Sequence, residues 1–372
     1  MKILMLCYEF PPLGGGGGRM VYGLSKTLIK MGHQVDVVTM GFRGLPARER
    51  IAGINIYRIP SIRKKPFVCT VLEASVYLLL AFSKIRRFVH NRAYHIIHTH
   101  FILPDGLMSC LLKLELGLPY IITAHGSDVP GYNPDKLRFA HRILAPVWRF
   151  VTAKADHIIW PSSSLQKIAS HQPLKTHNTI IPYGFEINQF QPQVKRKKRI
   201  LVVTRMLRRK GIQYLIQALK GLNLEHSIHI VGDGPYLPIL RKIAAQVNAR
   251  IKFYGWLDNG SSQFRHLLES SQIFVLPSEA ENFPVALLEA MAAGLAIITT
   301  KGTGCEDVVG DTGILVKPRS VHDLSRALIK LTENLDLCKK MGRASRERVE
   351  NCFSWPVVAQ QYIDLYKKYA DY

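Results

Sequence analysis

The sequence predicts an α/β chain of two doubly wound domains facing a cleft, and three observations predict it. Short β-branched runs alternate with helix-length segments along the chain, the pattern of parallel sheets covered on both faces. These runs form two series, separated by a polar stretch, "QPQVKRKKR", whose basic core Val194–Arg199 reads as a linker. The 372 residues exceed one typical core and suit two domains of under about 200 residues each.

Taken in order, "KILMLCY" is a first strand that leads through a glycine loop into an amphipathic helix near Met20–Met31, then "QVDVVTM". The runs "INIYRIP", "HIIHTH", "YIITAHG", "HIIWPS" and "TIIPYG" continue the first series. The second comprises "ILVVTR", "SIHIVGDG", "IKFYGW", "QIFVLPS", "AIITT" and "GILV". The expected domains are residues 1–190 and 198–352, with 353–372 a terminal aromatic helix. Ligands of such sheets sit at the carboxyl ends of the strands.

Composition narrows the class. Hydrophobic residues make up 47% with mixed charges, as in soluble globular chains. No run of eighteen or more apolar residues marks a membrane span. The start, "MKILMLCYEFPP", reads as a strand and not as a secretory signal. Six cysteines (Cys7, Cys69, Cys110, Cys305, Cys338, Cys352) without a C-x-x-C read as reduced thiols in a cytosolic protein. The net charge of +23 and pI near 9.8 attract nucleic acid, phospholipid headgroups or phosphorylated substrates. Residues 1–190 carry 23 Lys and Arg against 10 Asp and Glu, and the remainder 27 against 17. That even spread argues against a detachable basic tail.

Several segments carry chemistry. "PPLGGGGGRM" sets five glycines, Gly14 to Gly18, between the first strand and first helix. There, backbone N–H groups and a helix dipole can meet an anion or sugar; the plainer reading is a surface loop. It matches neither the Walker loop nor the dinucleotide fingerprint. "TRMLRRKG" puts Arg205 and Lys210, with Arg208 and Arg209 as rivals, where a diphosphate would lie; the plainer reading is solvated cations. "VGDGP" is a tight turn of little weight alone. "TAHGSD" places His125 and Asp128 at a strand end, where a histidine can hydrogen-bond or exchange protons, unless it is simply structural. His98 and His100 have no carboxylate or Cys at ligand spacing, and no Asp-x-Asp ends a strand, so no metal is expected.

The sharpest segment is "ENFPVALLEAMAAGLAIITT". "PVALLEAMAAG" reads as a short helix, apolar nearly all round and so buried, yet it carries Glu289, with Glu281 at its entrance. A buried, unpaired carboxylate costs several kcal/mol or takes up a proton, so both carboxylates should hold something.

Together these segments, with "IPYGFEINQF" and "GTGCEDVVGDTGILV", resemble the retaining glycosyltransferases of family four over almost the whole chain. Glu281 and Glu289 fall on the two acids of that family's E-x7-E motif. The resemblance implies the GT-B fold of two facing Rossmann-like domains, with the terminal helix crossing back to brace the first. It implies a nucleoside diphosphate sugar as co-substrate, no cofactor, and transfer to an acceptor hydroxyl with retention. Catalytic roles fall to His125, Arg205, Lys210 and Glu281. Glu289 would hold the ribose hydroxyls, while Asn282, Phe283, backbone amides near Gly15 and Gly16, and amides from Gly304 to Glu306 would meet the donor. Two residues depart from the pattern: Thr204 where glycine commonly precedes the arginine, and Ala296 for a proline.

The implied acceptor is a glycan or lipid-linked hydroxyl in envelope polysaccharide, lipopolysaccharide or glycolipid synthesis. The basic, amphipathic stretches Val71–Arg92 and Asp135–Lys154 either lie on an anionic membrane or pack on their own domain. The expected location is the cytoplasm, with peripheral contact to the inner face of the cell membrane left open. The rival readings are a nucleotide-sugar epimerase or hydrolase on the same fold, and a nucleic-acid-binding protein. No basic helix with interleaved aromatics, RNP-type strand or zinc finger supports the last, so no nucleic acid is expected.

Overall fold

The computed structural model describes residues 1–132, 134–193 and 195–370. The chain forms two units: Met1–Gly184 with the segment from Trp355 onward, and Phe185–Ser354.

The first unit holds strands β1 (Lys2–Leu6), β2 (Gln34–Met40), β3 (Arg48–Ile51), β4 (Ile54–Ile59), β5 (Ile96–His100), β6 (Tyr120–Thr123), β7 (His157–Trp160) and β8 (Asn178–Ile180). They lie in the order β3-β4-β2-β1-β5-β6-β7-β8. β3 pairs antiparallel with β4, and β1 pairs parallel with both β2 and β5. Its helices are α1 (Gly16–Lys30), α2 (Val71–His90), α3 (Asp105–Leu116), α4 (Pro134–Lys154) and α5 (Ser163–Ala169). The chain winds outward from β1 through β2 and returns to β1's other side with β5. The switch point of this sheet therefore lies at the carboxyl ends of β1 and β5.

The second unit holds β9 (Arg199–Val203), β10 (Ser227–Val231), β11 (Ile251–Gly255), β12 (Ile273–Leu276), β13 (Ala296–Thr300) and β14 (Ile314–Val316). Their order is β11-β10-β9-β12-β13-β14, all parallel. Its helices are α6 (Ile212–Ala218), α7 (Leu237–Ala244), α8 (Ser262–Ser270), α9 (Val285–Ala292), α10 (Gly304–Val309), α11 (Val321–Thr332) and α12 (Leu335–Phe353). Here the switch point lies between β9 and β12. Strands covered on both faces bury every side chain, which is why Phe274, Val275, Ile297 and Ile298 are fully buried and the runs read as unbroken apolar stretches.

The terminal helix α13 (Trp355–Tyr369) belongs to the first unit. Trp355 packs where Gly23 and Gly184 leave room; a Cβ on either glycine would overlap its ring. Tyr366 donates to or accepts from His98 Nδ1 at 2.7 Å, and Tyr369 does so with His157 at 3.0 Å.

The crossings between units lie at 184/185 and 354/355, not at the boundaries near 190, 198 and 353 that the sequence suggests. Phe185 and Phe190 are buried and stack with each other in the second unit. The Arg196 guanidinium of the expected linker donates to the carbonyls of Ser271 (2.7 Å) and Ala293 (2.5 Å). A basic composition marked a surface there, and that surface is part of the second unit; Val194 lies outside the described residues.

Candidate active site

The second unit's switch point brings together the residues most heavily charged with expectation. After β9 the chain turns through Gly211 (φ +71°), where a Cβ would overlap the Pro277 carbonyl oxygen beyond β12. That close approach places Lys210 Nζ 2.5 Å from Glu281 Oε1. Ser278 Oγ donates to the same oxygen at 2.8 Å. Both charged side chains are mostly buried, at 13% and 10% exposure. Lys210 and Glu281 are 71 residues apart, and the fold makes them one ion pair.

Arg205 stands nearby in sequence on the same carboxyl edge. Its side chain is exposed and has no ion pair among the described residues. The turn "VGDGP" explains its placement: Met206 N–H donates to the Asp233 carbonyl (2.9 Å) and Tyr236 N–H to the Met206 carbonyl (3.0 Å). Gly232 and Gly234 sit at φ +129° and +155° against that backbone. Thr204 adopts no left-handed backbone, so this loop does not require the glycine that the family pattern suggests.

Glu289 is buried at 6% exposure on α9, whose Leu287, Leu288, Ala290 and Met291 are fully buried. Its Oε1 accepts from Asn259 Nδ2 at 3.0 Å. Asn259 follows β11, and nothing in its spacing from Glu289 announces the contact; the sequence reading missed it. Asn282 and Phe283 are also buried, and Phe283 packs edge-on against Phe353.

The amides of Gly304, Cys305 and Glu306 are already engaged: by the Glu281 carbonyl (2.9 Å), Thr303 Oγ1 (3.2 Å) and the Thr303 carbonyl (3.0 Å). These bonds build the loop, so a ligand would share or exchange them. A Cβ at Gly304 would overlap the Asn282 carbonyl, so this glycine lets the α10 entrance press on the glutamate segment. The Glu306 carboxylate accepts from Gly302 N–H at 2.7 Å. Burial, and then the Glu281 carboxylate, push the Cys305 thiol up to about 12, so it is inert as a nucleophile.

A second cluster occupies the first unit's switch point. Gly14 (φ +81°) turns the chain after β1, and Glu9 Oε2 accepts from Gly15 N–H at 3.2 Å. A Cβ at Gly15 or Gly16 would meet nothing within 4 Å, whereas one at Gly17 would lie 2.7 Å from the Phe101 ring and 3.4 Å from His125. Glycine loop and histidine are thus neighbours. Phe101 holds φ +75°, rare for a bulky residue and characteristic of functional sites. His125 is oriented twice over, with Nδ1 2.7 Å from Tyr183 Oη and Nε2 3.2 Å from His100 Nδ1. To bond a ligand it must exchange one of these contacts.

Asp128 accepts from the backbone N–H groups of Ile102 (2.8 Å) and His125 (2.9 Å); it staples the two loops together. His98 has both ring nitrogens engaged, by Tyr366 and Thr123. Burial holds His98 and His125 at about 3 and His100 well below the usual range, so all three are neutral near pH 7. Among the described residues no group of three His, Cys, Asp or Glu could hold a metal ion.

Residues 14–189 match the family described as Glycosyltransferase Family 4, and residues 185–348 that described as Glycosyl transferases group 1. The N-acetyl-alpha-D-glucosaminyl L-malate synthase of Bacillus anthracis is 27% identical over 98% of this chain and 96% of its own. Sucrose-phosphate synthase of Thermosynechococcus elongatus superposes with a TM-score of 0.81 at 21% identity, over 99% of this chain and 98% of that one. Anabaena HepE, solved in complex with UDP-glucose, gives 0.75 at 17% identity, over 99% and 100%. The chain belongs to the group 1, family 4 glycosyltransferases, and its two parallel-sheet units have the GT-B fold.

Proposed function

We propose that the enzyme transfers a hexosyl unit from a nucleoside diphosphate sugar to an acceptor hydroxyl, with retention, and without a metal or other cofactor. One observation carries the reading: the mostly buried Lys210–Glu281 pair at the second sheet's switch point, with the buried Glu289 eight residues on. Anabaena HepE, of the same fold, is solved with UDP-glucose, which supports a nucleotide-sugar donor.

In this reading the anomeric carbon–oxygen bond to the diphosphate breaks and a bond to the acceptor oxygen forms. The acceptor proton passes to the departing phosphate oxygens. Charge grows on the diphosphate, so Arg205 and the two remaining N–H groups of Lys210 act where it grows. Those fixed cations do the work that a divalent ion does elsewhere. Glu289 accepts the ribose hydroxyls with its carboxylate, exchanging the partners it holds in the free chain, Asn259 among them. The first unit's cluster offers the uncrowded backbone at Gly15 and Gly16, where Gly15 N–H would exchange Glu9 for a ligand, and the neutral imidazole of His125, groups suited to hydroxyl-rich or anionic partners.

Glu289 supplies the test. Glu289→Gln keeps the shape but replaces charge-assisted acceptors, each contributing about 1.5–3 kcal/mol, so donor affinity should fall at least about tenfold. Wild type should prefer the ribo- over the 2′-deoxynucleotide sugar, and the variant should lose that preference, a cycle that isolates one contact. Unchanged deoxy discrimination in Glu289→Gln overturns the assignment. Product analysis with and without acceptor, in excess chelator, separates transfer from epimerisation or hydrolysis; a metal requirement overturns the cofactor-free reading.

A further inference from the structure

The amino edge of the second sheet, opposite the edge that carries Lys210 and Glu281, holds a cavity of about 930 Å³. Gln272, just before β12, and Gly294, just before β13, lie in its wall. Both strands run parallel, which fixes the cavity to that edge. The rest of the wall comes from α12 and from the stretch after Phe190, so every lining residue belongs to the second unit. Small-molecule sites typically enclose roughly 300–1,000 Å³, and this one is large enough to be such a site.

Its wall is cationic. Lys195, Arg196, Lys339, Arg343 and Arg346 are set against two acids, Glu347 and Glu350. Arg346 pairs with Glu350 at 2.8 Å, and Lys339 with Asp336 at 3.3 Å. Two of the guanidiniums also serve the fold. Arg196 donates to the Ala293 carbonyl (2.5 Å) and Arg346 to that of Ala292 (2.7 Å), where cations complement the carboxyl end of α9. Glycines make the room: a Cβ at Gly294 would come 3.1 Å from the Arg196 guanidinium, and one at Gly342 would overlap the Gly294 carbonyl.

Capping does not account for the whole cluster. Lys195 and Arg343 are exposed, and their side chains make no hydrogen bond or ion pair among the described residues. Alone, each would be an ordinary solvated cation; together they flank a half-buried guanidinium in one cavity. Arg196 engages two N–H groups, with Ser271 and Ala293, of the five that a guanidinium carries. Burial pulls it down to about 10, an effect that the Glu269 carboxylate offsets in part. It therefore stays charged near pH 7 and gains from a closer anion.

We propose that this cavity binds a small molecule bearing phosphate, gripped by Arg196 and Arg343 with Lys195 beside them. Guanidiniums offer paired N–H donors that match phosphate oxygens, and an ammonium adds a point charge. The site is separate from the donor edge, since the four residues of β12 alone span about 13 Å. It needs nothing from the donor assignment.

Inorganic pyrophosphate is the probe, titrated by calorimetry into the full chain and four variants. Wild type should bind it at two places. Arg343→Glu and Lys195→Glu should each weaken one of these at least about tenfold, with the urea midpoint unchanged because both residues are exposed. Arg205→Ala should weaken only the other. Lys242→Glu reverses an exposed charge on α7, outside the cavity, and should leave both within about twofold of wild type. A single site that weakens in Arg343→Glu and not in Arg205→Ala still supports the cavity, and counts against the donor assignment. Binding unchanged in Arg343→Glu and Lys195→Glu overturns the proposal and leaves the donor assignment standing. Equal loss in Lys242→Glu also overturns it, since net charge alone is then responsible.

Discussion

Lys210 and Glu281 are each other's countercharge in a mostly buried place, whereas Arg205 is exposed on the same edge. This contrast separates structure from chemistry. Breaking a buried pair by removing one partner leaves an uncompensated charge and costs about 3–5 kcal/mol. Lys210→Ala should therefore lose stability of that order as well as kcat/KM, with about 2–4 kcal/mol of transition-state stabilisation gone. Arg205→Ala should lose kcat/KM while its urea midpoint shifts by no more than about 0.5 kcal/mol in stability. The double variant Lys210→Ala/Glu281→Gln removes both charges, so it should regain stability without regaining activity. Urea titrations and kcat/KM of the four proteins check the set. Near wild-type kcat/KM in both single variants removes these cations from the site, and a double variant no more stable than Lys210→Ala removes the ion-pair argument.

At the scale of elements, β5, β6 and α13 share a histidine core: His98 lies between Tyr366 and Thr123, and His100 reaches His125. Burial depresses their folded-state values, to about 3 for His98. An unfolded histidine takes up its proton near pH 6.5. Below that pH the unfolded state binds more protons, so stability is fully present above about 6.5 and falls toward 3, by at most about 1.4 kcal/mol per pH unit for each such histidine. Asp105 acts oppositely: burial raises it to about 7, so it adds stability as pH falls through that value. The total slope therefore mixes signs, and a difference isolates one group. His98→Gln should show a shallower loss of stability between pH 6.5 and 4.5 than wild type, by urea midpoint; equal slopes would mean that His98 is not held neutral. These elements also show what a sequence conveys. The apolar strands and the helix around Glu289 were legible because a sheet covered on both faces demands unbroken apolar runs. The contacts that complete the sites were not: Lys210–Glu281, Asn259–Glu289 and Tyr183–His125 join residues 71, 30 and 58 apart, and no local period encodes such pairs. The crossing at 184/185 was hidden because buried Phe185 and Phe190 precede a basic stretch that looks like surface.

For the whole molecule, the +23 charge attracts anionic surfaces, and three helices of the first unit combine exposed cations with exposed apolar side chains. Helices α2, α3 and α4 are neighbours, α2 beside α3 and α3 beside α4. α2 buries Tyr77, Ala81, Ile85 and Val89 on its own sheet, as its helical spacing requires. Yet Leu79 is 80% exposed, Leu114 of α3 56%, and Phe139 and Ile143 of α4 77% and 59%. The same helices α2 and α4 carry exposed Lys84, Arg86, Arg87, Arg142 and Arg149, Arg86 paired with Glu115. The side chains of Lys136 and Arg138 lie outside the described residues. No helix among the described residues is long and apolar enough to cross a membrane, so the contact we propose is peripheral, with an anionic surface that would carry a lipid-linked acceptor. Each Lys or Arg near such a surface contributes about 1 kcal/mol, and the exposed leucines and aromatics add their burial in the interface. Two variants separate the contributions. Arg87→Glu should weaken binding to anionic vesicles and leave the residual binding less salt-sensitive. Leu79→Ser should weaken binding at every salt concentration while changing stability by no more than about 0.5 kcal/mol, because the residue is exposed. Sedimentation with anionic vesicles at low salt, and release near half-molar salt, is the expected wild-type result, because the screening length falls from about 10 Å at 0.1 M to about 3 Å at 1 M. Equal recovery with neutral and anionic vesicles would instead point to a soluble acceptor, and the basic face would then be no more than a solvated one.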